Sequence, residues 1–245
     1  MRLNALQRRR WENFRANRRA YWSLWIFSGL FVLAMFAEFI ANDKPILISY
    51  RGEWRMPIFT FYAETDFGGE FETEAEYPAP EVRCLIRTGG LEDCLDDPEG
   101  VLEDATDGDV RGIPIEPGWA IWPPIPYAFD TINYGVLTAP SPPDADHWLG
   151  TDDQTRDVLA RVIYGFRISV LFALVVAVIS SVIGVFAGAA QGYFGGWVDL
   201  FFQRIVEIWT NIPSLYIIII LSAIFVMNFW ILTLLIALFS WTSLV

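Results

Sequence analysis

Three charged residues and one proline interrupt a strongly apolar stretch of the sequence: Asp199, Arg204, Glu207 and Pro213. Arg204 and Glu207 are three positions apart, so in a helix they share a face and can form an ion pair. Charges inside a membrane are costly unless they are paired or hydrated, which makes this pair a candidate for a functional site. The alternative is that residues 198–211 lie at the cytoplasmic interface, where Arg204 extends its charge into water. Pro213 predicts a kink in either case.

The two cysteines, Cys84 and Cys94, are the only ones in the chain and are separated by nine residues. An even count and a short loop predict a disulfide if this part of the chain lies in an oxidising compartment.

Motifs for catalysis or cofactor binding are not found in the sequence. His147 is the only histidine, so we expect a loop residue rather than a metal cluster or a catalytic dyad. Lys44 is the only lysine, and no P-loop pattern surrounds it. Residues 91–110 carry nine acids and no bases but fit no calcium-loop register, which favours a solvated acidic loop. We therefore expect no enzyme activity, metal or cofactor here, and any ATP that powers this protein would be bound by another chain.

Long apolar runs dominate the rest of the sequence, in which 54% of residues are hydrophobic. Runs of this length are typical of membrane spans, and in lipid the backbone must pair internally, so each run should be a helix. The expected fold class is an all-α polytopic membrane protein with an inserted outer segment of mixed or irregular structure. The expected transmembrane helices are 21–40, 168–190, 198–227 with its kink near Pro213, and 229–245.

The distribution of charge predicts the topology. The net charge is −12, yet residues 2–19 hold seven Arg and one Glu, whereas residues 41–150 hold 22 acids and six bases. The positive-inside rule places the basic segment 1–20 in the cytoplasm and the acidic segment 41–150 in the periplasm of a bacterium. The basic segment can also bind anionic lipid as a surface helix, or it only sets orientation. No nucleic-acid partner is expected.

The acidic segment 41–150, which we call the outer segment, should contain local structure. Residues 46–50 and 53–59, separated by Arg51-Gly52, predict a β-hairpin. Between residues 151 and 167 the apolar spacing becomes helical, with Thr151 or Asp152 as a suitable N-cap. We expect this stretch to be an amphipathic helix lying flat on the outer surface of the membrane. The motif that defines this interfacial segment consists of Gly150, Thr151, Asp152, Arg156, Asp157, Arg161 and Arg167.

Three arginines of that motif, Arg156, Arg161 and Arg167, lie on the side that we assign to the periplasm, against the positive-inside rule. Long loops cross membranes largely regardless of charge, and the first helix usually dominates, so we keep the assignment.

Small residues recur every fourth position along the predicted second span. They are Ser180, Gly184, Gly188 and Gly192. This spacing places them on one helix face, where another helix can approach closely, either from this chain or from a partner in a larger translocation unit.

Two sequence stretches resemble the dipeptide and oligopeptide ABC transporter permeases. They are LGTDDQTRDVLARVIYGFRISVLF from residue 149 and GVFAGAAQGYFGGWVDLFFQRIVEIWTNIPSL from residue 184. WENFRANRRAYWSLWIF and IANDKPILISYRGEW resemble more narrowly the Yej-type permeases, which are linked to peptide and microcin C import. Thr155 departs from the pattern, since the family usually has Gly there. The acidic stretch around Cys84–Cys94 matches no family pattern.

The resemblance implies a permease subunit of an ATP-driven peptide importer. It implies a second permease as heterodimer partner, cytosolic ATPase subunits and a periplasmic peptide-binding protein, with this chain forming half of the pathway in the inner membrane. By the same resemblance, the second span and the segment with Asp199, Arg204, Glu207 and Pro213 are the candidates for the pathway and for coupling. The uncapped end at Val245 suggests a cut rather than a natural terminus, and the resemblance implies a continuation into a cytosolic coupling loop. A membrane-anchored sensor and a secondary transporter are the alternatives. A sensor would need a cytosolic output domain, and a secondary transporter would need no ATPase.

Overall fold

The computed structural model describes residues 5–105 and 108–244, which are mostly helical and divide between Phe166 and Arg167 into two compact units. The helices are α1 (Ala5–Ala16), α2 (Arg18–Met35), α3 (Ala37–Ile40), α4 (Pro80–Thr88), α5 (Asp93–Asp96), α6 (Pro98–Asp104), α7 (Val158–Phe194), α8 (Gly196–Thr210), α9 (Ser214–Ile224) and α10 (Phe229–Ser240). The strands are β1 (Leu47–Tyr50), β2 (Glu53–Arg55), β3 (Asp109–Val110), β4 (Ile113–Pro114) and β5 (Trp119–Ile121). Two 3₁₀ turns cover Glu64–Phe67 and Trp241–Leu244.

The predicted hairpin is confirmed and forms the base of the outer segment. β1 pairs antiparallel with β2 across the two-residue turn Arg51–Gly52, whose positive φ angles of 47° and 76° suit the right-handed twist of a hairpin. β1 also pairs with β5, which gives the strand order β2-β1-β5. α4 packs on this sheet, and the buried residues between them form the core of the outer segment. Its largest members include Ile48, Phe67, Tyr77 and Leu85.

The first predicted span is two helices rather than one. α2 starts after Asn17, whose side chain caps the amide of Ala20, and ends at Phe36, after which α3 completes the run to Ile40. Large apolar side chains on α2, such as Trp22 and Ile26, are exposed in the isolated chain. At the C-terminal end of this run the phenol of Tyr164 donates to the carbonyl of Ala41, which attaches the start of α7 to the run.

The boundary predicted between an interfacial helix at 151–167 and a span at 168–190 is wrong. One unbroken helix of 37 residues, α7, runs from Val158 to Phe194. Residues 151–157 are not helical, and neither Thr151 nor Asp152 is the N-cap. The carboxylate of Asp157 accepts the amide of Ala160 and caps the helix instead.

The second unit contains the bend that Pro213 predicts. α8 and α9 meet at 66°, and Pro213 lies in the break between them. Within the described residues, α7 alone is long and apolar enough to cross a membrane as a single helix, and α8 with α9 passes the same test as a bent pair. The run 229–244 is a shorter apolar helix, α10 followed by the 3₁₀ turn.

Candidate functional site

The residues before α7 form a compact corner that fixes where the helix begins. Gly150 has a φ of +73°, and a Cβ there would lie 2.3 Å from the carbonyl oxygen of Ser141. The neighbouring Thr151 donates its amide to that carbonyl at 3.1 Å, and its hydroxyl accepts the amide of Ser141 at 3.0 Å. The amide of Val158 in turn donates to the carbonyl of Gly150 at 3.1 Å. The chain therefore reverses tightly at a position where only glycine avoids a clash.

Asp152 is the centre of a charge cluster in this corner. Its carboxylate accepts the amides of Gln154 and Arg156 at 2.8 and 3.0 Å. The guanidinium of Arg156 binds it through Nε and Nη2 at 2.9 and 2.8 Å, and Arg161 also contacts it. Burial raises the pKa of this carboxyl, but the hydrogen bonds from Arg156 and Gln154 and the charge of Arg156 outweigh burial and lower the pKa to about 2. The carboxylate of Asp152 thus binds two arginines of the predicted motif, Arg156 and Arg161.

His147 is a loop residue as predicted, but it is buried and paired, which the sequence reading missed. Its Nδ1 lies 2.9 Å from Oδ2 of Asp157, and both side chains are almost fully buried. Its Nε2 lies 3.0 Å from the amide nitrogen of Asn133, whose oxygen accepts the amide of Gly135. With Asn133 donating to Nε2, we assign the proton to Nδ1, which donates to Asp157.

The environment of this pair is aromatic and acidic. The ring of Tyr127 stacks on His147 with centroids 4.5 Å apart. Burial raises the pKa of Tyr127, and the nearby carboxylates of Asp146, Asp157 and Asp144 raise it further. No nucleophile is placed against His147 by these contacts. The contact between His147 and Asp157 therefore has a structural role. It links the loop that contains His147 to the N-terminus of α7.

Six of the seven residues of the predicted interfacial motif lie together in the structure, and one lies apart. Gly150, Thr151, Asp152, Arg156, Asp157 and Arg161 are joined by the contacts described above. Arg167 lies further along α7, in the second unit.

The small-residue face of α7 is covered at one end. A Cβ on Gly184 would lie 2.6 Å from Cβ of Leu244 and 3.0 Å from the carbonyl oxygen of Trp241. Ser180 is buried on the same face, and its hydroxyl has no hydrogen-bond partner among the described residues. Gly188 is half-buried and Gly192 is exposed, with nothing within 4 Å of a Cβ built on Gly192. The face therefore packs inside the chain at Ser180 and Gly184 and is open at Gly192.

The pathway and coupling candidates are spread along α8 and its bend. Arg204 and Glu207 form the predicted ion pair, with Nη1 2.6 Å from Oε2, and both side chains are substantially exposed. Asp199 lies in the first turn of α8, where its charge suits the positive end of the helix dipole. Of the four candidates, Arg204 and Glu207 are thus joined by a direct contact.

The C-terminal end of α8 is attached to α10 by a tryptophan. The indole Nε1 of Trp209 donates to the carbonyl of Leu238 at 3.0 Å. Its ring stacks on Phe239 with centroids 5.5 Å apart. The side-chain amide of Asn211 donates to the carbonyl of Glu207 at 2.6 Å, at the end of the helix. The bend at Pro213 is thus held on one side by a direct contact to α10.

The predicted disulfide is present. Cys84 in α4 and Cys94 in α5 are bonded, with Cα atoms 5.5 Å apart, and both sulfurs are fully buried in the core of the outer segment. The hydroxyl of Thr88 lies 3.4 Å from Sγ of Cys94 and donates to the carbonyl of Cys84. No cluster of three or more His, Cys, Asp or Glu side chains suited to a metal occurs in residues 5–105 and 108–244.

Comparison with known proteins agrees with the resemblance seen in the sequence. Residues 6–55, which include α1 to β2, match the N-terminal TM domain of oligopeptide transport permease C. The whole chain is 43% identical to the inner membrane ABC transporter permease protein YejE of Escherichia coli (strain K12), of which it covers 64%. It is 43% identical over 263 aligned residues to the peptidoglycan transport system permease protein YejE of Agrobacterium fabrum, covering 97% of this chain and 61% of that protein.

A more distant relative matches only part of the chain. The oligopeptide transport system permease protein OppC of Bacillus subtilis is 38% identical over 105 residues, 43% of this chain and 34% of OppC. The chain thus spans about three fifths of the length of the two YejE relatives. The chain is therefore similar over its whole length to two YejE permease proteins, and over part of its length to an OppC permease and to the N-terminal TM domain of that permease type.

Proposed function

We propose that this chain is a permease subunit of an ATP-driven importer of peptides, located in the inner membrane of a bacterium and forming half of the translocation pathway. The observation that carries the proposal is the 43% identity to E. coli YejE, which extends over all 245 residues and so includes the corner, α7 and the bent pair α8–α9. A match of this extent covers the outer segment as well as the apolar helices.

The exposed surfaces of the helices support insertion in a membrane. Apolar side chains are exposed on α2, α7 and α9, for example Trp25, Phe186 and Ile220 at 52%, 73% and 56%. A helix that is apolar on all sides and is not covered by protein is stable only in an apolar solvent. Lipid supplies that solvent, and membrane lipid is therefore the first partner that we propose.

We propose a topology with α1 in the cytoplasm and residues 41–167 in the periplasm. Seven Arg among residues 2–19 support the first placement, and the disulfide Cys84–Cys94 supports the second. The arginines that opposed this assignment on sequence grounds are partly neutralised in the structure, since Arg156 and Arg161 both bind Asp152.

A permease subunit that forms half of a pathway requires other subunits to complete the pathway, supply energy and deliver the substrate. We propose a second permease subunit as heterodimer partner, a cytosolic ATPase that binds ATP and magnesium, and a periplasmic peptide-binding protein. The exposed end of the small-residue face, at Gly192, is a suitable approach for a helix of the second permease. The chain itself carries out no covalent chemistry in this proposal.

The α8–α9 bend supports a role in coupling. Movement of α8 produced by the ATPase would reach α10 through the Trp209–Leu238 hydrogen bond and the Trp209–Phe239 stack. The exposed Arg204–Glu207 pair lies on α8 one turn before this contact, where a cytosolic partner could bind it. Asp199, Arg204, Glu207 and Pro213 therefore remain our pathway and coupling candidates.

Peptides are the proposed cargo, including peptide antibiotics such as microcin C. The names of the relatives support peptide chemistry, since OppC is an oligopeptide permease and the Agrobacterium YejE is described as a peptidoglycan transport permease. A sensor is less suitable. Gly195 alone separates α7 from α8, which leaves no room there for an output domain.

Co-purification with reconstituted uptake tests the proposal. The protein is tagged, expressed together with the proposed partner subunits, purified and placed in proteoliposomes with a peptide-binding protein. We expect an ATPase and a second permease to co-purify, and a labelled peptide to accumulate only with ATP. Recovery with no ATPase, or uptake driven by an ion gradient alone, would favour a secondary transporter and contradict the proposal.

A further inference from the structure

A groove in the outer segment combines two arginines with two tryptophans. Arg83 and Arg87 are one helical turn apart on α4, and Trp119 and Trp122 belong to β5 and the residue after it. The groove has a volume of about 330 Å³ and continues past Arg83 and Trp122 into a second cavity of about 480 Å³. The second cavity is lined further by Pro78, Pro123, Pro124, Pro126, Tyr127 and Asn133.

A glycine allows the helix and the strand to form this groove. A Cβ on Gly118 would lie 2.1 Å from the carbonyl oxygen of Ile86 and 2.6 Å from that of Ser49. The amide of Gly118 donates to the carbonyl of Arg87 at 3.2 Å. This close approach brings Trp119 next to the arginine face of α4.

The two arginines differ from the other bases of the outer segment. Lys44 binds Glu74, Arg51 donates to the carbonyl of Gly89, Arg55 donates to that of Asp66, and Arg111 binds Asp97 and Asp104. The guanidinium groups of Arg83 and Arg87 form no hydrogen bond or ion pair with any residue in the described ranges, and both are exposed. Two unpaired cations in a segment of 22 acids are therefore available to a ligand.

The charge around the groove limits the kind of ligand. Guanidinium groups bind carboxylates with charge-assisted and often bidentate hydrogen bonds. The acidic surroundings repel polyanions, so a ligand with one carboxylate and a balancing ammonium group is favoured over nucleotides or anionic polymers. The face of Trp122 suits apolar or aromatic side chains, and Trp119, whose ring packs edge to face against Trp54, adds apolar surface at the edge of the groove. Short peptides with free termini combine all three features.

We propose that this groove binds short peptides by their C-terminal carboxylate, with Arg83 and Arg87 as the carboxylate ligands and Trp122, flanked by Trp119, as the side-chain platform. The choice of peptides rests on the proposed function. The size agrees, since small-molecule sites commonly enclose roughly 300–1,000 Å³. The groove would hold a peptide on the outer segment before it reaches the membrane helices.

Calorimetric titration of the chain in lipid nanodiscs tests the groove directly. The probes are the tripeptide Ala-Phe-Ala with a free carboxylate and the same tripeptide with a C-terminal amide. We expect the free acid to bind at least about tenfold more tightly than the amide, and Arg83→Gln and Arg87→Gln each to weaken the free acid by about tenfold, as expected for charge-assisted hydrogen bonds. Gln keeps a good helix propensity at these exposed sites, so α4 should remain intact.

Arg111→Gln is the matched control, because it removes the same charge from the same segment but at an arginine that is already paired. It should leave both affinities unchanged. Three results would overturn the groove proposal. They are equal affinity for the acid and the amide, an equal loss of affinity in all three variants, and no binding of the free acid to the unmodified chain. Uptake in proteoliposomes without this binding would contradict the groove alone, whereas binding without ATP-dependent uptake would contradict the proposed function alone.

Discussion

Nδ1 of His147 lies 2.9 Å from Oδ2 of Asp157, and this buried contact joins a loop of the outer segment to the first turn of α7. The second oxygen of Asp157 accepts the amide of Ala160 at 2.7 Å. One carboxylate therefore both caps the helix and binds the imidazole, which makes it the residue that determines where α7 begins.

Asp157→Ala should destabilise this corner by about 3 kcal/mol, because it removes a helix cap and leaves a buried imidazole without its acceptor. Asp157→Asn retains one oxygen that can cap but turns its NH2 towards the Nδ1–H of His147, so it should cost about 2 kcal/mol, less than Asp157→Ala by the contribution of the cap. Hydrogen exchange of the amides of residues 158–161 measures both effects. Equal exchange in the two variants would show that the cap contributes nothing.

Asp152 should make stability depend on pH. Its pKa is lowered in the folded chain to about 2, so its contribution is complete above the ordinary pKa of about 4 and is lost as the pH falls towards 2. Asp152→Asn should cost about 1 kcal/mol at pH 7, less than the shift alone implies because solvent screens the arginine charges, and nothing near pH 2. Thermal unfolding of both proteins at pH 7, 4 and 2 measures the difference. A cost that is the same at every pH would contradict this account.

Thr155→Gly should stabilise the same corner. Thr155 has a φ of +59°, a conformation that is strained for a β-branched residue and free for glycine. We expect a gain of about 1 kcal/mol in the free energy of unfolding. Gly150→Ala is the opposite control, since its new Cβ would meet the carbonyl of Ser141 at 2.3 Å and should destabilise strongly. Loss of stability in Thr155→Gly would show that the threonine side chain itself is needed.

Substitution by leucine at two positions on one face of α7 distinguishes packing within this chain from pairing with a second permease subunit. Gly184→Leu should displace residues 241–244 and lower the stability of the isolated chain, because its Cβ alone would lie 2.6 Å from Leu244. Gly192→Leu should leave the isolated chain unchanged, since the site is empty within 4 Å. If the second permease approaches at Gly192, the same variant should reduce recovery of the complex in co-purification. Unchanged recovery would exclude this part of the face from the interface.

Removal of the disulfide should destabilise the outer segment and little else. Replacing both Cys84 and Cys94 by Ala opens a loop of about ten residues, for which a loss of about 3 kcal/mol is expected from the entropy of the unfolded chain. Hydrogen exchange should increase in α4 and β1 and stay the same in α9. An equal increase in both regions would contradict a local effect.

The features that sequence reasoning predicted correctly are the local ones. The Arg51–Gly52 turn lies between alternating strands, Pro213 cannot continue a helix without a break, and Cys84 with Cys94 has no other possible partner. Each of these depends on a few adjacent residues or on a count.

The structure places the start of α7 at a different residue from the one predicted, because several residues there have side chains that can cap a helix. Thr151, Asp152 and Asp157 all have suitable side chains, and the choice depends on distant contacts with Ser141 and His147. The groove was not predicted for the same reason. Arg83 is far from Trp119 in the sequence, and only the packing of α4 on β5 brings them together.

The position of the disulfide also constrains how the protein is made. Both sulfurs are at the centre of a core that includes Ile48 and Leu85, whose strand and helix are joined only when the outer segment is folded. Ribosomes deliver the chain into a reducing cytosol, where this bond does not persist. On the proposed topology, a newly inserted chain therefore remains immature until translocation is complete and a thiol oxidase has acted on it, so its maturation rate depends on the redox state of the envelope as well as on the insertion machinery.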